Sequence, residues 1–160
     1  MLTRLLPDQV SKHWNIIKYG VERSLPPIVS AHPDKMNRIL SAALCGRIDV
    51  WVSRPKEDKS KLEFIALTKI LYDDVSDTKN LLIYCIYSYD GVSRASWDSG
   101  LMTMLKEASG RGCSQIVAYT NLPYVVDLTR RLGGEAIYTF LSFDVKRSLN
   151  DLTNSVGESR

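Results

Sequence analysis

The chain has little of what metal or nucleophile chemistry is usually built from. Histidine occurs only at positions 13 and 32, and cysteine only at 45, 85 and 113. No Cys or His stands at metal-ligand spacing from another, which argues against a structural zinc site. An odd number of widely spaced cysteines among apolar neighbours predicts reduced, buried thiols rather than a disulfide framework. Neither Cys85 nor Cys113 has a His or a helix N-terminus near it in sequence, so both read as inert core thiols. There is no Ser-His-Asp elbow and no Walker loop. No apolar run approaches membrane-spanning length, and the apolar stretch in MLTRLLPDQV is too short for a signal peptide, so a cytoplasmic location is expected. The net charge is only +3, with Lys and Arg scattered. No basic arm or stripe marks a nucleic-acid partner.

What is present is ordinary for one globular domain: 160 residues, 44% hydrophobic and 24% charged, enough to bury a core without metal or disulfides. Leu2 to Leu6 predicts a short strand ended by Pro7. Asp8 then serves as N-cap of a helix to about Arg23, with Val10, Trp14, Ile17 and Val21 at helical spacing. Paired prolines after Leu25 stop it. A second helix spans about Pro33 to Cys45 and is closed by Gly46. From Ile48 the period changes to two. Strands are expected at Ile48 to Ser53, Leu62 to Tyr72 and Leu81 to Tyr89, the last a nearly unbroken apolar run that predicts a central strand buried on both faces. A helix from Trp97 to about Gly110, a strand Ser114 to Thr120, a helix Leu122 to Leu132 and a last strand Ala136 to Val145 follow. The order is (β)ααβββαβαβ, an α/β mixed sheet with helices on its faces. A single domain over 1–145 and a polar tail over 146–160 are expected.

The segment Leu81 to Val117 carries most of the functional information, since ligands of open α/β folds bind where a strand's carboxyl end meets the next helix. With Asn121 at the end of the following strand and the Leu132-Gly133 helix end, the element order resembles the GNAT N-acetyltransferase superfamily. That resemblance implies acetyl-CoA as cofactor and a small amine as acceptor. It implies a phosphate-holding loop of pattern Arg/Gln-x-x-Gly-x-Gly/Ala, in which bare glycines let the backbone approach the anion. Here the pattern begins at Arg94 and puts Trp97 and Ser99 at the glycine positions, while Asp98 already complements the helix dipole. By the same resemblance Tyr87 and Tyr89 would supply amides that polarise the thioester. Arg94, Ala95 and Ser96 would hold the phosphates, Asn121 would reach the pantetheine arm, and Thr129 stands where a Tyr general acid is common. Trp14-x-x-Ile17-Lys18, Ser24-Leu25-Pro26-Pro27, Trp97 and Gly112-Cys113 also resemble small GNAT-like proteins encoded among virion-structure genes of tailed phages. That implies host cytoplasm or virion as location.

Each candidate has a plainer reading beside it. Helical spacing with Leu101 and Met104 assigns Trp97 to the core. Ser96, just before an apolar-periodic helix, reads as its N-cap. Arg94 is either a phosphate contact or a solvated loop residue. Asn121 is either a cofactor contact or a helix cap. Glu63, Asp49, Asp90 and His13 are possible bases without fixed pairing, and a Tyr at 87 or 89 can line a cleft opposite Val117. Two functions remain: a GNAT-like domain with a degenerate cofactor loop that acts on a protein partner as a binding or assembly module, and an acetyl-CoA-dependent N-acetyltransferase.

Overall fold

The computed structural model describes residues 1–26, 32–89, 91–120, 123–136, 145 and 147–149. Asp90, Asn121, positions 137–144 of the expected last strand and nearly all of the expected tail lie outside the described residues.

Strand β1 (Leu2–Arg4) leads into α1 (Pro7–Lys12) and α2 (Trp14–Ser24). The single helix expected from Asp8 to Arg23 is therefore two, broken at His13, whose backbone leaves the helical region at φ −105°, ψ 16°. Asp8 is not the cap. Pro7 opens the first turn, where a missing N–H costs nothing, and the Gln9 side chain reaches back to accept from the Leu6 N–H at 2.8 Å. Helix α3 (Lys35–Leu44) buries Ile39, Ala42 and Ala43 and is left through Gly46 in the left-handed region, φ 75°.

Strands β2 (Asp49–Ser53), β3 (Phe64–Asp73) and β4 (Thr78–Ser88) follow, then α4 (Arg94–Gly110), β5 (Gln115–Ala118) and α5 (Pro123–Arg131). The described strands form one sheet in the order β1-β2-β3-β4-β5, antiparallel throughout except for the parallel pair β4-β5. The crossover expected between Leu81 and Val117 is present.

Alternation divides the side chains between two cores. Val50, Val52, Ile65 and Leu67 meet Val10, Ile17, Val21 and Ile39 on the α1–α3 face. Trp51, Phe64, Ala66 and Leu81 meet Met104 and Ala108 on the α4 face. The polar side chain at the centre is paired: Thr68, fully buried, accepts from Trp51 Nε1 at 2.9 Å. Within β4 the expected two-face burial holds for Leu81, Leu82 and Cys85, and the remaining residues from Ile83 to Ser88 are half-buried.

One irregularity shapes the sheet. Leu67 pairs with Cys85 but Thr68 pairs with Ile83, so Tyr84 is an extra residue on β4. Tyr84 and Cys85 consequently pack on the same face. A bulge bends its strand and raises the local twist. The β4-β5 ladder ends at the adjacent pair Ile83 and Ala118, and β4 runs on past it to Ser88. Val117, expected at the mouth of a gap opposite Tyr87, lies within the paired part opposite Leu82.

Helix α2 crosses β4 at Gly20. A Cβ there would stand 2.7 Å from Tyr89 Oη and 2.8 Å from Ile65 Cδ1. Gly20→Ala should therefore destabilise the protein by up to about 2 kcal/mol net, overpacking of about 1 to 3 kcal/mol being offset by a helix-propensity gain of about 1 kcal/mol. Urea unfolding at neutral pH measures it, and a stabilised variant would contradict this close crossing.

The cysteines differ sharply. Cys45, expected to be buried, is exposed, and the Arg47 guanidinium bonded to its sulfur at 3.2 Å lowers its pKa. Cys85 is buried, and burial pushes its thiol up to about 11 from 9.0. A disulfide reagent at pH 8 should modify Cys45 first and Cys85 only on unfolding. Because Cys85 keeps its proton in the folded state while the unfolded chain releases it near pH 9, stability should fall as pH rises from about 9 to 11, by about 2 kcal/mol from this group. A flat stability profile over that range would contradict the burial.

Candidate functional site

The candidate site is the first turn of α4 with the end of β4 and the start of β3. Ser93, not Ser96, is the N-cap: its backbone is extended, φ −66° and ψ 153°, and its Oγ accepts from the Ser96 N–H at 3.1 Å. Ser96 is instead the third residue of the helix. Its hydroxyl donates to Glu63 Oε1 at 2.7 Å, and the Ser53 hydroxyl donates to Glu63 Oε2, also at 2.7 Å. Glu63 is buried. Its carboxylate ties the end of β2 and the start of β3 to the helix N-terminus, so this candidate base is engaged in holding the loop.

Arg94 and Ala95 are exposed on the first turn, and Arg94 Nε stands 3.9 Å from Asp98 Oδ2. Trp97 turns the other way. It is half-buried and stacks on Phe64 with ring centroids 4.6 Å apart, the core role expected of it. One turn on, Gly100 passes the same ring, where a Cβ would lie 3.2 Å from Phe64 Cζ. The helix thus approaches the sheet closely behind its first turn.

Tyr87 and Tyr89 point to the α1–α3 face and form an aromatic cluster with Tyr19. Arg23 lies over the Tyr19 ring at 3.5 Å, a cation–π contact. Tyr89 Oη donates to the Ile16 carbonyl at 2.5 Å. Burial pushes the Tyr89 phenol up to about 12 and also raises Tyr87, so both stay protonated at neutral pH. The Tyr89 N–H donates to the Glu63 carbonyl at 2.9 Å, and Tyr87, two residues back in the same ladder, pairs with Ile65. Antiparallel pairing alternates inward and outward groups. The amides of Tyr87 and Tyr89 therefore face β3, and Ile86 and Ser88 are the residues that direct backbone groups toward the β5 side. The Tyr87 and Tyr89 side chains and that of Trp97 pack on opposite faces of the sheet, while Glu63 accepts from both the Tyr89 N–H and the Ser96 hydroxyl.

Of the other candidates, Asp90 and Asn121 lie outside the described residues, and the rest have structural partners or exposed positions. Asp49 receives Arg111 Nη2 at 2.7 Å. His13 sits exposed in the break between α1 and α2. The Thr129 hydroxyl donates to the Val125 carbonyl of its own helix at 2.8 Å. Among the described residues no group of three or more Cys, His, Asp and Glu could hold a metal ion, and no helix is long and apolar enough to cross a membrane.

No family model matches the chain, and no curated protein matches it. Solved structures do. A ribosomal-protein-alanine N-acetyltransferase from Brucella melitensis biovar Abortus 2308 aligns with a TM-score of 0.63 at 11% identity, over 90% of this chain and 99% of that one. An aminoglycoside acetyltransferase from an uncultured soil metagenomic sample, in complex with sisomicin, gives a TM-score of 0.66 at 13% identity, over 90% and 93%. A predicted acetyltransferase with acetyl-CoA from Clostridium acetobutylicum gives 0.64 at 11%, over 92% and 97%. The chain has the fold of the GNAT acetyltransferases, as its element order implied.

Substitution separates the cap from the carboxylate link. Ser93→Ala should cost about 1 kcal/mol through the lost cap. Glu63→Ala should cost about 2 to 4 kcal/mol, because it strands two hydroxyls that now donate to a buried carboxylate. Denaturant unfolding compares them, and a larger loss for Ser93→Ala than for Glu63→Ala would show the cap, not the carboxylate, to be the stronger tie at this turn.

Proposed function

We propose that this GNAT-fold domain does not hold acetyl-CoA through its α4 turn and that it works as a binding or assembly module for a protein partner. The supporting observation is the occupancy of that turn: Ser93 caps it, Glu63 receives Ser96, and Asp98 sits beside Arg94. A phosphate arriving there meets Glu63 and Asp98 instead of bare backbone. Losing two backbone donors to a charged phosphate, each worth about 1.5 to 3 kcal/mol, weakens binding by roughly two to four powers of ten. The resemblance to virion-gene GNAT-like proteins of tailed phages suggests a particle, or its assembly, as the setting.

A second reading, an acetyl-CoA-dependent acyltransferase acting on an amine, is favoured by the strand geometry. β4 continues past the end of the β5 ladder, and Ile86 and Ser88 direct backbone groups to that side. In that reading these groups face the thioester, while Arg94, Ala95 and Ser96 lie at the phosphates. Structural neighbours solved with CoA or acetyl-CoA make the cofactor the natural probe.

Titration calorimetry of the full chain with acetyl-CoA decides between them. The first reading expects no saturable acetyl-CoA heat below about 1 mM that Arg94→Ala removes. Low-micromolar affinity that drops on Arg94→Ala would return the protein to the acyltransferases.

A further inference from the structure

A second place on the fold collects charge of one sign. Between α3 and the middle of the sheet lies a groove of about 400 Å³, within the range of small-molecule sites. Four basic side chains converge on it: Lys35 and Arg38 from α3, Arg47 from the following turn, and Lys69 from β3. Its floor is apolar, made by Ile39, Ala42 and Ile48. Tyr84, the bulged residue of β4, adds a half-buried phenol at the wall.

Among the described residues neither Arg38 nor Lys69 has a carboxylate partner, in contrast to Arg4 and Arg111 on the other face. The adjoining recess, which shares Arg38 and Arg47, contains one carboxylate, Asp34, so cations outnumber acids around the groove. Converging cations over a low-dielectric floor raise the local concentration of anions. Guanidinium forks suit phosphate oxygens, and the aromatic and aliphatic lining suits an organic body attached to them.

We propose that this groove is a binding site for a small organic phosphate, separate from the α4 turn. It lies on the α1–α3 face of the sheet, whereas the α4 turn is anchored on the opposite face through Trp97 and Phe64. The groove's small volume, and a net charge of only +3 over the whole chain, favour a small molecule over a nucleic-acid track.

Equilibrium titration of the full chain with ATP as probe tests this, with sodium tripolyphosphate and a single-stranded oligonucleotide as the other arms. Saturable ATP binding in the submillimolar range is expected, with tripolyphosphate weaker. The paired substitution Arg38→Gln and Lys69→Gln should reduce ATP affinity about a hundredfold, roughly tenfold per lost charged contact, while Arg94→Ala leaves it unchanged. Arg38 is exposed and Lys69 half-buried, and thermal unfolding of the pair verifies the fold; Arg38→Glu alone is the second variant. Acetyl-CoA binding abolished by the pair and kept in Arg94→Ala would support the groove as an organophosphate site. The proposal is overturned by no saturable ATP binding to about 5 mM, by loss of ATP binding in Arg94→Ala, or by oligonucleotide binding tighter than ATP.

Discussion

Much of this molecule follows from the one extra residue on β4. Inserting Tyr84 between the pairs Leu67-Cys85 and Thr68-Ile83 shifts the phase of the strand by one. A shift of one residue exchanges the two faces of a strand. Cys85, Tyr87 and Tyr89 therefore point to the α1–α3 side, and Ile86 remains with Phe64 and Trp97 on the α4 side. The same bulge coincides with the end of the β5 ladder, which is where a bent, more strongly twisted strand parts from a straighter neighbour. Three tyrosines packed on one face then need room in the helix above them. Gly20 supplies it, and Tyr89 binds that helix through the Ile16 carbonyl.

Electrostatics bears on what the α4 turn of this fold can hold in the proposed reading. A helix N-terminus favours a nearby negative charge by about 0.3 to 1 kcal/mol when exposed, and by up to about 2 kcal/mol when partly buried. A phosphate charge about 6 Å from a buried carboxylate would meet about 3 kcal/mol of repulsion at an effective dielectric of about 20. In the first reading the carboxylate of Glu63, bonded to the Ser96 hydroxyl, opposes the dipole that draws phosphates to such turns. Its structural role explains its place there. It joins β2, β3 and α4 through two hydroxyls, a polar link in a region otherwise closed by the Phe64-Trp97 stack and the Gly100 approach.

The sequence made the sheet legible and the site only in part. Alternation in Val50 to Val52 and the unbroken run of Leu81 to Tyr89 reveal strands between two cores, and Gly-Arg-Gly after the crossover helix fixes its end. The cap is one turn earlier than expected because Ser93 and Ser96 both precede the apolar spacing. The helix begins when Ser93 bonds the Ser96 N–H, and a Ser three residues upstream of another was the available signal. The break at His13 left no mark, since Val10 to Val21 keeps helical spacing across it. Amide direction in Tyr87 and Tyr89 depends on pairing register with β3, which no single strand contains. Glu63 was visible only as an unpaired acid, because its partners Ser53 and Ser96 are distant in the chain.

Charge illustrates the same limit from the other side. Lys35, Arg38, Arg47 and Lys69 are scattered in sequence, and a total of +3 suggests an ordinary surface. Folding segregates them. Near the start of β2 on the α4 side, Arg4 and Arg111 are answered by Asp49 and Glu107, forming a closed network. Beneath α3 the cations gather over an apolar floor, with Asp34 as the one carboxylate at the edge. Net charge therefore says little about affinity here, and likeness of fold says as little. β4 runs on past its ladder with β5, and in the two proposals the carboxylates at the α4 turn and the cations beneath α3 set opposite preferences for a phosphate on the two faces of one sheet.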